Sequence, residues 1–348
     1  MAHRPAESTH QRLFEFSRTA LIKIFLSPYA SVCDLYCGGV PDESKWDEAQ
    51  IGHYIGIDVA QSGVSQVREA WESQRKAYTS KFFELDPCIE DIEPYLQEKG
   101  NMADIVCCMQ HLQFCFETEE KGRMLLHNVA SLLKPGGYFF DICRAKYQKN
   151  VEAYHNKSSS MKPGLVPNCI RSESYMITFE VEEEKFPFFG KKYQLKFAGD
   201  SSAETHCLVH FPSLLRLARE AGLEYMEIQN LTDFYDDNRA PFAGMLLDAA
   251  PNLVDPRGRL LPRSYDVLGL YTTFVFQKPD PDVAPPLMTP FVQPGCHKYD
   301  EREWQAGTSW RDNEKNGQAE PSTSLAKITE QKGILGPGPA ELRFSEAM

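Results

Sequence analysis

The chain reads as an α/β protein built on a mostly parallel sheet, and three observations lead there. Short apolar strands alternate with amphipathic helices from residue 31 to about residue 142. The strands are apolar nearly throughout, as strands covered on both faces must be. The first of them, "SVCDLYC", runs straight into two glycines, and acids stand where the next two strands end, at Asp58 and Asp86. With 348 residues, 42% of them hydrophobic, there is enough apolar side chain for one large domain or two small ones.

The elements follow in order. "STHQRLFEFSRTALIKIFL" is a predicted helix: Ser8 and Thr9 are candidate N-caps, and Leu13, Phe16, Ala20, Leu21, Ile24 and Phe25 recur at helical spacing. The strand "SVCDLYC" comes next, then "HYIGIDVA" (53–60), the helix "QSGVSQVREAWESQRKAY" and the strand "SKFFELDP". "NMADIVCCMQ" is a fourth strand, "ETEEKGRMLLHNVASLLK" a helix, and "PGGYFFDI" turns into a fifth strand. The alternation then breaks. Residues 143–205 are polar, and "YMITFEVEEEKFPFFGKKYQLKFA" alternates like two strands joined at Pro-Phe-Phe-Gly, a hairpin over the sheet edge. The helix "FPSLLRLAREAGL", the strand "EYMEIQNL", a loop with a short helix and the final strand "LGLYTTFVFQKP" complete the core. This divides the chain into an N-terminal helical segment (1–30), a main domain (31–280) with 143–205 inserted, and a proline-rich polar tail (281–348). Truncation at 285 is expected to leave the melting temperature nearly unchanged; a loss of several degrees would mean that the tail packs on the core.

Composition excludes several classes. A net charge of −12 opposes sequence-blind binding to long nucleic acid, which rests on many Lys and Arg contacts to phosphate. One nucleotide at the end of an RNA remains compatible with it. The basic runs "GKKYQLK" and "DPRGRLLPR" read as solvated faces. There is no apolar run of about 18 residues, and "MAHRPAESTHQRLFEF" has no hydrophobic signal core. Ten cysteines in a chain of this length read as thiols of a reducing compartment, so a cytosolic or nuclear location is expected, nuclear for the function reached below.

In open α/β sheets ligands bind outside the carboxyl ends of the strands. Here those ends are Cys37-Gly38-Gly39, Asp58, Asp86 and Gln110. A carboxylate at Asp58 can accept from both hydroxyls of a ribose, and one at Asp86 from an adenine amino group. The glycines let the backbone approach the ligand closely. A pyrophosphate wants glycines at a helix N-terminus, whereas "CGGVPDESKW" supplies proline and acids that would repel it. A nucleoside cofactor without phosphate, S-adenosylmethionine, fits better. "HCLVH" places His206 and His210 four apart beside Cys207, which on a helix could grip a metal, but the stretch reads as a strand end and no metal is assigned.

The order and wording of "DLYCGG", "YIGIDVA", "LLKPGGYF", "FPFFGKKYQLKF", "LVHFPSLLRLAREAGLE", "NLTDFYDDN" and "LGLYTTFVFQKP" resemble the mRNA cap guanine-N7 methyltransferases over residues 8 to about 280. The resemblance implies a class I S-adenosylmethionine-dependent methyltransferase fold with a mostly parallel seven-stranded sheet. It implies transfer of a methyl group to N7 of the terminal guanine of GpppN-RNA, with S-adenosylhomocysteine as by-product and no metal. Carried over by position, the cofactor site would comprise Arg18, Tyr36, Asp58, Asp86 and Gln110, and the cap pocket Gln113, Phe114, Glu204, His206 and Tyr271. Partners would be the capped RNA end and other capping or transcription machinery.

Two departures from the family pattern stand out. Tyr36 replaces the first glycine of the family's turn, where it would sit above the adenosine or crowd it, and the segment after Ile142 is several residues shorter. A shortened segment there would slow methyl transfer while sparing cofactor binding, with recovery on insertion of a Thr-Pro-containing stretch. Two other readings stay open on sequence alone: a weakly active homologue or splice form that binds cap or an active partner, and a small-molecule methyltransferase.

Overall fold

The computed structural model describes residues 9–38, 43–74, 76–96, 102–109, 111–144, 169–179, 187–242 and 253–283. Ser8, Gly39, Gln110, the part beyond Arg144 of the shortened segment after Ile142, and the tail beyond Val283 lie outside them.

The strands β1 (Ser31–Leu35), β2 (His53–Asp58), β3 (Thr79–Glu84), β4 (Ala103–Cys107), β5 (Leu133–Arg144), β10 (Glu224–Asn230) and β11 (Tyr271–Gln277) form one sheet in the order β3-β2-β1-β4-β5-β11-β10. Strands β1 to β5 run parallel, and β11 lies antiparallel to both β5 and β10. The chain leaves β1 toward β2 and β3, then returns to the other side at β4. That reversal opens a crevice at the carboxyl ends of β1 and β4.

Period-2 alternation fills both faces of the sheet. On β1, Val32 joins one apolar cluster while Cys33 and Leu35 join the other; on β5, Phe140 and Ile142 point one way and Phe139 and Cys143 the other. Helix α1 (Thr9–Phe25) covers the first face with Leu13, Phe14, Phe16, Leu21 and Ile24, together with α7 (Leu231–Asn238) and α8 (Pro262–Leu268). Helices α5 (Glu119–Leu132) and α6 (Phe211–Glu220) cover the second through Leu125, Leu126, Leu214 and Leu217. Between these lie α2 (Glu43–Glu48), α3 (Gln61–Gln74) and the one-turn α4 (Leu112–Cys115).

Strands β6 (Cys169–Arg171), β7 (Tyr175–Phe179), β8 (Lys192–Phe197) and β9 (Glu204–Cys207) form a second, antiparallel sheet. It contains the predicted hairpin as the β7–β8 pair. Pro187–Gly190 only ends the connection, which is longer than the predicted turn.

"NLTDFYDDN" carries a helix, α7, between β10 and β11, capped by the Asn230 side chain, which accepts from the Thr232 amide at 3.0 Å. One local feature departs from the sequence reading. "KPGG" lies inside β5 instead of before it, since the Gly136 amide donates to the Lys278 carbonyl at the end of β11.

Candidate cofactor cleft and acceptor pocket

At the switch point lies a cleft of about 540 Å³, lined among others by Tyr36, Gly38, Asp58, Asp86, His111 and Phe114. Asp58, at the last position of β2, is buried, and both carboxylate oxygens are engaged: Oδ2 accepts from the Gly38 amide and Oδ1 from the Ala60 amide, each at 2.9 Å. Two backbone donors therefore hold the carboxylate in one plane. An ionised carboxylate has about four acceptor positions, so two remain for a ligand. A Cβ on Gly38 would stand 2.6 Å from the Gly63 Cα and 3.1 Å from Asp58 Oδ2. Two glycines thus let the β1 turn and the start of α3 touch backbone to backbone beside Asp58.

Asp86, just past β3, accepts at Oδ1 from the Tyr36 hydroxyl (3.1 Å) and from the Cys88 amide (2.9 Å). Its Oδ2 has no partner among the described residues and is the acceptor left for an adenine amino group. Tyr36 occupies the position of the expected glycine at φ 61°, a left-handed conformation that costs an ordinary residue about 1 kcal/mol or more. Its hydroxyl also meets the Cys88 sulfur at 3.0 Å and the Cys115 thiol at 3.7 Å. These contacts hold the ring against the cleft wall, where it stacks on His111 at 5.0 Å and 13°. Tyr36 therefore narrows the cleft without closing it.

The thiols below the cleft are not nucleophiles. Burial pushes Cys108 up to about 12, and Cys115 also lies well above the usual thiol range for that reason. Cys88 is raised first by its hydrogen bond with Cys115 and then by burial.

Arg18 is buried on α1, tied to Glu15 at 3.1 Å, and is not among the residues lining the cleft; its charge acts on Asp34 and on the cleft residue His111. Burial pushes the Asp34 carboxyl up to about 6, against the opposing pull of Arg18 and of hydrogen bonds from Tyr54 and Cys107. The unfolded chain releases this proton near pH 3.9. Between about pH 4 and pH 6 the folded state holds more proton, so Asp34 lowers stability as pH rises through that window, by about 3 kcal/mol in all. Asp34→Asn is expected to gain stability over the parent progressively across the window and to hold that gain above it. Urea midpoints at several pH values check this, and a pH-independent difference would contradict it.

At the mouth of the cleft, Phe114 of α4 is 48% exposed and bridges two elements: its ring lies 5.7 Å from His111 and 5.2 Å from His206 on β9. His206 Nε2 pairs with the exposed Glu204 carboxylate at 3.1 Å, and its ring lies 5.9 Å from Tyr193. The second sheet thus places His206, with Glu204 paired to it, against the Phe114 ring at the mouth of the cleft. Gln113 is 2% exposed inside α4, and Tyr271 is 4% exposed, packed edge-on against Phe14 at 5.6 Å; neither is among the residues lining the cleft. His210, the second histidine of "HCLVH", caps α6 by accepting from the Ser213 amide. His111 lines the cleft but has no periodic or motif signal; its place in the link from β4 to α4, at the carboxyl edge of the sheet, is the available clue.

Residues 11–279 match the family described as the mRNA (guanine-N(7))-methyltransferase domain. The chain is 64% identical to mRNA cap guanine-N(7) methyltransferase 2 of Arabidopsis thaliana, covering 98% of each protein. It is 61% identical to the protein of the same name in Oryza sativa, covering 97% of this chain and 100% of the relative. The mRNA cap guanine-N(7) methyltransferase of Schizosaccharomyces pombe is 26% identical over 77% of this chain and 75% of its own length. A solved S-adenosylmethionine-dependent methyltransferase from Clostridium acetobutylicum superposes at a TM-score of 0.44 and 11% identity, over 79% of this chain and 94% of that one.

Proposed function

The chain belongs to the mRNA cap guanine-N7 methyltransferase family, and from that membership and the cleft we propose that it methylates N7 of the terminal guanine of capped RNA. The cofactor is S-adenosylmethionine, which supplies a methyl group on an electrophilic sulfonium. The residues present fit it. Asp58 offers two fixed acceptor positions to the ribose hydroxyls, Asp86 Oδ2 suits the adenine amino group, and Gly38 and Gly63 leave the backbone bare beside them.

Guanine N7 carries an in-plane lone pair and no proton, so no general base is required. What the protein contributes is position and an environment that tolerates charge moving from sulfur to purine. The observation that carries this reading is the continuity of Phe114: one ring lines the cofactor cleft and also abuts the His206–Glu204 pair of the second sheet. A purine stacked on Phe114 would meet Glu204, whose carboxylate accepts from the donors of a guanine Watson–Crick edge. Lys121, which lines the cleft and pairs with Glu117 at 2.6 Å, is the cation suited to meet the triphosphate bridge.

Phe114→Ala is expected to weaken GpppG binding about tenfold, the loss of one stacked base at ~1–3 kcal/mol, with S-adenosylhomocysteine affinity changed far less. Calorimetry with both ligands checks it; an unchanged GpppG affinity would remove Phe114 from the acceptor pocket. Because the GpppN end is itself the product of nucleotidyl transfer to RNA, the reading also puts the protein in the nucleus, beside the machinery that makes that end. Imaging of the tagged full chain tests the location.

A further inference from the structure

His111 belongs to no motif quoted for the family, yet it is the residue the structure prepares most narrowly. Its Nδ1 lies 3.1 Å from the Met109 carbonyl oxygen. A carbonyl can only accept, so Nδ1 must carry the hydrogen, and the neutral ring then presents Nε2 as an acceptor. Tyr36 fixes the plane of the ring from one side, and Phe114 flanks it on another. Nε2 has no hydrogen-bond partner among the described residues, although the ring lines the cleft.

We propose that His111 is a further cofactor-binding residue, a neutral imidazole of fixed tautomer whose Nε2 accepts a hydrogen bond from bound S-adenosylmethionine and whose protonation opposes the cofactor's positive charge. This rests on the cofactor assignment made above. The surroundings favour the neutral form: burial lowers the proton affinity of the ring most, and Arg18 of α1 lowers it further, while the Met109 carbonyl and Asp58 of β2 pull the other way. The other ionisable groups around it are Asp86 beyond the Tyr36 hydroxyl, Lys121 of α5 across the cleft and His206 of β9 behind Phe114. A net cation bound beside the ring favours the neutral form still more. By reciprocity, acid must then weaken S-adenosylmethionine more than S-adenosylhomocysteine, whose thioether sulfur carries no charge.

The test measures calorimetric affinities of both ligands for the full chain, for His111→Phe and for His111→Gln, at about pH 7.5 and about pH 5.5, on either side of ordinary imidazole titration. In the parent chain, acid is expected to weaken S-adenosylmethionine several-fold more than S-adenosylhomocysteine. His111→Phe should bind both about tenfold more weakly at the higher pH, because a donor of the cofactor loses its acceptor. His111→Gln, whose amide oxygen can accept, should recover part of that loss, and neither variant should keep the excess acid sensitivity toward S-adenosylmethionine. Imidazole nitrogen shifts in the unsubstituted protein give a check independent of any variant: the Nδ1–H tautomer is expected near neutrality. Equal acid sensitivity in all three proteins, or an Nε2–H or charged ring near neutrality, overturns the proposal while leaving the cofactor assignment standing. A parent chain that binds neither ligand overturns both.

Discussion

Asp58→Ala is expected to weaken S-adenosylmethionine binding at least tenfold. The carboxylate is held by two backbone amides at 2.9 Å and is buried. Each hydrogen bond it makes is to a charged acceptor, and one such bond contributes about 1.5–3 kcal/mol. Loss of a single ribose contact already accounts for a factor of about ten, since ~1.4 kcal/mol is tenfold. The substitution also strands the Gly38 amide, so the β1 turn loosens beside the ligand. Calorimetry on a variant that still melts cooperatively is the check. Unchanged affinity would remove Asp58 from the cofactor site.

Gly38→Val should have a larger effect. At this position even a Cβ would lie 2.6 Å from the Gly63 Cα, a backbone atom that cannot turn aside. Either the β1 turn or the start of α3 must move, and Asp58 Oδ2, 3.1 Å from that Cβ, moves with them. Overpacking of this kind costs about 1–3 kcal/mol in stability. The displaced acceptor adds to it, so S-adenosylmethionine affinity is expected to fall by about a hundredfold or more, ~3 kcal/mol. Gly63→Ala, whose tightest contacts are 3.2 Å, should do less. A Gly38→Val protein that bound the cofactor normally would show that the two backbones need not touch.

Much of this was legible in the chain because it is written in local pattern. Apolar strands ending in glycine or acid, separated by helices, specify a parallel sheet and place Asp58 and Asp86 at its carboxyl edge before any coordinate is known. What was hidden depends on partners far along the chain. Nothing near Tyr36 shows that its hydroxyl reaches Asp86, fifty positions later, and that this contact holds a non-glycine residue at positive φ. "KPGG" has turn composition, and the backbone of Lys278, just past β11, draws it into β5 by accepting from the Gly136 amide and donating to the Gly137 carbonyl. Helical spacing buries Arg18 on α1, and the sequence alone does not show that it pairs with Glu15 or that its charge reaches Asp34. His111 stands alone between Gln110 and Leu112 with no repeating partner, and its role follows from the Met109 carbonyl and the Tyr36 ring, neither of which a pattern of residue types encodes.

The central claim is methyl transfer to N7 of a cap guanine, and methyl-labelled S-adenosylmethionine tests it most directly. The full chain is incubated with the labelled cofactor and either GpppN-RNA or the same RNA bearing an uncapped triphosphate, and the digested products are separated. Label recovered as 7-methylguanosine, from the capped RNA alone, is the expected result. Label in the uncapped RNA at a comparable rate, or no transfer by a protein shown to bind the cofactor, would contradict the account.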